Sequence, residues 1–261
     1  MPAVPLTHAE ITATLRASGC VFAEDEATLL LDAASGSDLA RMVDRRVAGE
    51  PLEVIVGWAE FCGLRIQIDP GVFVPRRRTE ALVREAARVA TGPAVVLDLC
   101  CGSGALGVAL AHLLGSVSLY AADVEPAAVR CARRNVATVG GQVFEGDLDE
   151  PLPGSLRGRV DLLVANVPYV PTDHVALMPP EARDHEPRVT LDGGADGLDV
   201  LRRVAGVAPR WLAAGGHLLV EASAAQAAAA GEAFAAAGLA ARIVWDEEWE
   251  ATVVVGTLSD E

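Results

Sequence analysis

The stretch from Asp161 to Pro171, DLLVANVPYVP, runs from an apolar strand straight into Asn166-Val167-Pro168-Tyr169. A carboxamide, a backbone carbonyl beside a proline and a phenol at the end of a core strand suit one task, holding a planar nitrogen group. An amide nitrogen is a poor nucleophile because its lone pair is delocalised. Two acceptors, the Asn166 carboxamide oxygen and the Val167 carbonyl, would take its two N–H hydrogens. That aims the lone pair at an electrophilic carbon and stabilises charge developing on nitrogen. Tyr169 would pack on the planar group while Pro168 fixes the backbone. No general base is needed at first, since the proton becomes acidic only once the nitrogen is alkylated.

A second cluster lies upstream, in VVLDLCCGSGALGVALA. A strand signal leads into Cys100-Cys101-Gly102-Ser103-Gly104 and then a helix, so the backbone can approach a ligand at a helix N-terminus. Two ligand classes fit. Gly102-x-Gly104-x-x-Gly107 matches a dinucleotide fingerprint, with Asp123, 21 residues beyond Gly102, as the ribose carboxylate. The same turn with an acid four residues earlier, Asp98, suits S-adenosylmethionine (AdoMet), whose amino-acid end a carboxylate can help to hold. Asp147 and Leu148, at the end of a later strand, would meet an adenine amine and ring. Hydride transfer has no standing need for the carboxamide and phenol of the first cluster, whereas methyl transfer to nitrogen does. Cys100 and Cys101 read as small packing residues, because no base is placed to activate a thiolate.

Elements of two kinds must position these residues. Helices are expected over Thr7–Ser18, with a Thr7…Glu10 capping box, over Ala23–Ala34, and from a Ser37 cap to Gly49. Leu52–Asp69 reads as a hairpin, Pro70–Glu80 as a rigid connector, and Thr79 as the cap of a helix ending near Ala90. Strands follow at Ala94–Leu99, Ser118–Ala122, Gln142–Phe144, Asp161–Ala165, His217–Glu221, Ala240–Trp245 and Ala251–Gly256. The helices between them are Ala105–Leu114, Pro126–Thr138, Leu198–Ala213 and Ala224–Ala237. Such alternation predicts an α/β fold with a doubly wound, mostly parallel seven-stranded sheet, one of the last two strands antiparallel. The expected units are a helical one over 1–50, hairpin and linker over 51–78, and a ligand-binding one over 79–261.

The formal net charge of −15 argues against a broad nucleic-acid footprint. All 21 basic residues are arginine, which removes chemistry that requires a lysine amine. Five cysteines without CxxC spacing exclude a disulfide framework or zinc site, and no metal is expected. With no apolar run of membrane-spanning length, the expectation is a cytoplasmic monomer with no membrane contact. Arg76-Arg77-Arg78 is the one dense basic cluster before the sheet. It is open to a nucleic-acid partner, a cofactor carboxylate or a solvated helix lead-in.

Taken together these motifs resemble the release factor glutamine methyltransferases. RRVAGEPLEVIVGWAEFCGL is similar to that family's lead-in, PGVFVPRRRTE to its connector, and DLCCGSGALGVALA to its cofactor turn. NVPY stands where the family has NPPY, and HEPRVTLDGGADGLDVLRR resembles the segment after the active-site loop. The resemblance implies a class I, Rossmann-like fold with a small helical domain that meets a peptide chain release factor. It implies AdoMet-dependent methylation of the glutamine amide in that factor's Gly-Gly-Gln loop. By position, the cofactor would lie on Asp98, Cys100 to Gly104, Asp123, Asp147, Leu148 and Asn166. The substrate glutamine would lie on Asn166, Pro168, Tyr169 and, from the loop, Glu186. Val167 in place of the first proline, Arg77-Arg78 in place of Pro-Asp and a shorter helical region are the departures. The competing readings are an amino-methyltransferase of a nucleic-acid base and a non-catalytic AdoMet-binding protein.

Overall fold

A computed structural model describes residues 6–259, so the outer ends of the 1–50 and 79–261 ranges lie outside the described residues. Three helices, α1 (His8–Ala17), α2 (Ala23–Ala33) and α3 (Gly36–Val47), pack around Ile11, Leu15, Leu30 and Val43 in a core of their own. The Thr7–Glu10 capping box is present at α1. At α3 the N-cap is Ser35 rather than Ser37.

Leu52–Val56, read as the first strand of a hairpin, is a one-turn helix, α4. Its β-branched residues suggest a strand, but Gly57 takes a left-handed conformation and donates its N–H to Glu53, which closes the turn. The hairpin follows as β1 (Trp58–Phe61) and β2 (Leu64–Gln67). Asn135 fixes it from behind. Its Oδ1 accepts from the Gln67 N–H at 2.9 Å, and its Nδ2 donates to the carbonyls of Gln67 at 2.9 Å and Ser103 at 2.8 Å.

Beyond the connector come α5 (Glu80–Val89), β3 (Ala94–Leu99), α6 (Ala105–Leu114), β4 (Val117–Asp123), α7 (Pro126–Ala137), β5 (Gln142–Glu145) and β6 (Val160–Ala165). A short α8 (Pro180–His185) interrupts the next loop. The chain then continues through α9 (Asp199–Trp211), β7 (Leu212–Ala222), α10 (Ala227–Ala236), β8 (Leu239–Asp246) and β9 (Ala251–Leu258). The seven strands stand in the order β5-β4-β3-β6-β7-β9-β8, parallel except for β9.

Alternation along each strand feeds two cores. Val96, Leu162 and Val164 face α5, α6 and α7, whereas Leu97, Leu163 and Ala165 face α9 and α10. β7 begins earlier than its sequence suggests, because a register shift lets Leu212 pair with Val160 and His217 with Leu162.

The order of the strands reverses at β3, whose neighbours are β4 and β6. Ligands of open α/β sheets bind at such a switch point, beyond the carboxyl ends of the strands. Here Leu99 and Ala165 are register partners, so Cys100 and Asn166 leave the sheet side by side. The glycine turn and the NVPY segment are thus adjacent at the mouth of the sheet.

Candidate active site

One cavity opens at this switch point. It is lined by Cys100 to Ser103, Asp123, Asp147, Leu148 and the whole of Asn166 to Tyr169. Phe61, Phe73 and Arg76, from the hairpin and connector, close another side.

The turn is held under backbone strain. Cys100 (φ 55°) and Leu148 (φ 48°) are two of four non-glycine residues in the left-handed region among those described, and both line the cavity. At Gly104 (φ 79°) a Cβ would stand 2.9 Å from Val136, so only glycine lets α6 start this close to α7. Burial pushes both cysteine thiols up, which leaves them protonated rather than nucleophilic.

The acidic residues occupy distinct stations. Asp123 Oδ2 accepts the Gly102 N–H at 2.8 Å and Oδ1 the Glu125 N–H at 2.9 Å, which fixes the carboxylate at the rim. Burial raises its pKa, opposed by these backbone donors. Asp147 receives Arg203, also a lining residue, at 2.7 Å. Asp98 is fully buried beneath the turn and is not a lining residue. Its Oδ2 accepts the Gly107 N–H at 3.0 Å, while Oδ1 has no partner. Burial, with Asp123 adding to it, pushes Asp98 up to about 7.

The tetrapeptide is braced from its far side. Val170 donates to the Leu191 carbonyl at 3.0 Å and accepts from the Gly193 N–H at 2.9 Å. Gln226 Nε2 donates to the Tyr169 carbonyl at 2.9 Å. A Cβ on Gly193 would fall 2.5 Å from the Pro168 carbonyl, which accounts for the glycines of the DGGADG segment. Burial raises the Tyr169 phenol.

Glu186 does not line the cavity. It is buried, lies 2.7 Å from Arg76 through both oxygens and also accepts the Val74 N–H at 3.4 Å. It ties the loop to the connector. Thr79 makes no capping bond to α5, contrary to its expected role, and instead donates to Glu221 at 2.6 Å. The arginines of the cluster have contacts within the chain. Arg76 is paired with Glu186 and Arg78 with Glu221, while Arg77 lies over the Trp249 ring at 5.6 Å. Thr79 belongs to the PGVFVPRRRTE connector but reads there only as a cap, and Glu221 and Gln226 carry no motif. Their one signal is position, since Glu221 sits near the carboxyl end of a core strand and points to the same mouth.

Comparison with known proteins agrees with this layout. The methyltransferase small domain matches residues 63–178. A release factor glutamine methyltransferase of Mycolicibacterium smegmatis is 38% identical over 229 residues, 80% of this chain and 81% of that protein. The chain belongs to the release factor glutamine methyltransferase family. A Geobacter sulfurreducens protein of that family is 45% identical over 182 residues, 69% of this chain, and the chain spans 63% of its length. A 4-amino-L-phenylalanine/4-methylamino-L-phenylalanine methyltransferase of Streptomyces pristinaespiralis is similar too, 38% identical over 203 residues, 75% of this chain and 69% of that protein. Both kinds of relative are methyltransferases named for a nitrogen-bearing acceptor. Among the described residues no helix is long and apolar enough to cross a membrane, and no group of side chains is arranged to hold a metal.

Proposed function

We propose that the chain transfers a methyl group from AdoMet to the side-chain amide nitrogen of a protein glutamine, in the Gly-Gly-Gln loop of a peptide chain release factor. The observation that carries this reading is the adjacency of Asn166-Val167-Pro168-Tyr169 and the strained glycine turn in one cavity. The cofactor's fit rests on the Asp123 carboxylate at the cavity rim, whose two backbone bonds leave lone pairs for ribose hydroxyls. Asp98, expected at the cofactor, lies beneath the turn and outside the lining. Asp147 and Leu148 flank the place of an adenine ring. The turn from Cys100 to Gly104 offers its backbone to the remainder.

AdoMet, when bound, supplies a methyl group on a positively charged sulfur. The chain's own residues do the rest by positioning. Asn166 Oδ1 and the Val167 carbonyl accept hydrogen bonds from the two N–H groups of the glutamine amide and stabilise positive charge on nitrogen. That charge is lost when one of those protons is released to water and the methylated amide becomes neutral. Tyr169 and Pro168 hold the amide plane. Orientation of this kind supplies roughly 7–11 kcal/mol in favourable intramolecular reactions. Glu186 contributes indirectly, by securing the Phe73–Arg76 wall. In this reading the helical unit over 1–50 meets the release factor, 51–78 forms hairpin and linker, and 79–261 carries the chemistry. The protein works as a cytoplasmic monomer.

A second acceptor class, a free aromatic amine, is favoured by the Streptomyces relative and by the apolar walls Phe61, Phe73, Val189 and Leu191. Turnover with AdoMet, measured in parallel on a release factor, 4-aminophenylalanine and RNA, separates these readings. Transfer to the release factor alone is expected. Transfer to the amine or to RNA in its place overturns the proposal.

A further inference from the structure

The Asn166 carboxamide serves the proposed reaction only if its oxygen, not its NH2, faces the acceptor nitrogen. The two ends of a carboxamide are nearly the same size, so packing alone does not choose between them. A chain of polar contacts behind Asn166 does. Asn166 Nδ2 faces Thr79 Oγ1 at 3.5 Å, and Thr79 donates its hydroxyl proton to Glu221 Oε2 at 2.6 Å. The other Glu221 oxygen lies 2.6 Å from Arg78 Nε, an ion pair set off the line of a hydrogen bond. Thr79 and Glu221 are 3% and 1% exposed, so water does not supply alternative partners.

We infer that Thr79 and Glu221 are positioning residues that fix which end of the Asn166 carboxamide faces the cavity, with Arg78 as their counter-charge. The inference rests on the function proposed above. A hydroxyl has one proton and a carboxylate none. Glu221 takes the Thr79 proton, so toward Asn166 the Thr79 oxygen can only accept. A reversed carboxamide would set Oδ1 against an oxygen with no proton to offer. The Asn166–Thr79 contact is long for a hydrogen bond, but this polarity does not depend on a short one. Thr79 occupies the N-cap position of α5 yet makes no capping bond, so its hydroxyl is diverted to this chain. Arg78 stands where the resemblance leads one to expect an aspartate, and it gives the buried Glu221 its cationic partner.

The inference is tested with the full-length protein and the variants Thr79→Val, Thr79→Ser and Glu221→Gln. Valine removes the hydroxyl at nearly constant shape. Glutamine can donate to Thr79, freeing its proton for Asn166 Oδ1 and favouring the reversed carboxamide. Single-turnover transfer to a release factor should fall about 10- to 100-fold in Thr79→Val and Glu221→Gln, less than the 10²–10³ typical of removing a direct transition-state donor. AdoMet affinity by calorimetry should be unchanged, and Thr79→Ser should restore most of the turnover. The Asn166 side-chain amide resonances, which need no acceptor, should shift in Thr79→Val and Glu221→Gln and stay in place in Thr79→Ser. Wild-type turnover in Thr79→Val, unmoved Asn166 resonances, or Thr79→Ser as impaired as Thr79→Val would each overturn the inference. A wild type inactive on the release factor would instead overturn the proposed function, and the resonances would still decide the orientation.

Discussion

Burial holds the Asp98 carboxyl up at about 7, and this has a consequence for stability. Between an unfolded value near 3.8 and about 7 the folded protein keeps a proton that the unfolded chain releases. The stabilisation is therefore complete below the unfolded pKa and is lost as pH rises through the folded one. Urea unfolding across this window should show the ligand-free wild type losing up to about 4 kcal/mol relative to Asp98→Asn, which has no proton to lose. Parallel stability profiles for the two proteins would mean that Asp98 does not titrate in the fold. At the same scale, Cys100 stands in a left-handed conformation where glycine would be unstrained. The turn accepts that cost beside the cavity, as functional sites often do. Val167, in place of the proline that the resemblance leads one to expect, is buried, and the proposed clamp asks only for its carbonyl, which valine keeps.

Among the elements, α3 carries the contact that joins the helical unit to the loop over the site. Arg46 pairs with Glu26 through both oxygens, at 2.6 and 3.0 Å, and reaches Glu181 of α8 at 3.4 Å. Both partners of the Arg46–Glu26 pair are nearly buried, so Arg46→Ala strands the Glu26 carboxylate without a counter-charge. Removing one partner of a buried pair typically costs about 3–5 kcal/mol, and chemical unfolding should show a loss of that size. A loss below about 1 kcal/mol would make the pair equivalent to a surface salt bridge. Much of this layer was legible from the sequence. Alternating strand and helix signals gave the seven-stranded sheet, and the motifs lay at strand ends where a doubly wound fold gathers them. What was not legible depended on partners distant in sequence. Thr79 looks like a cap until Glu221, 142 residues later, takes its proton. Leu52–Val56 looks like a strand until Gly57 turns it and Ile55 joins the helical core. Gln226 lay inside an alanine-rich stretch that read as plain helix, yet it holds the Tyr169 carbonyl.

At the scale of the whole molecule, the sheet's reversal at β3 makes two motifs 64 residues apart, at Gly102 and Asn166, walls of one cavity. The charge of −15, with Arg76 and Arg78 committed to buried carboxylates, favours a protein acceptor over a nucleic acid. The most direct test of the account is to locate the transferred methyl group. A release factor incubated with AdoMet and the enzyme is digested and its peptides fragmented in a mass spectrometer, beside the same reaction with Asn166→Ala. One added methyl group is expected on the glutamine side chain of the Gly-Gly-Gln peptide. Transfer should be about 10²–10³ slower for Asn166→Ala, with AdoMet binding retained. A methyl group on another residue, or full transfer by Asn166→Ala, would contradict the account.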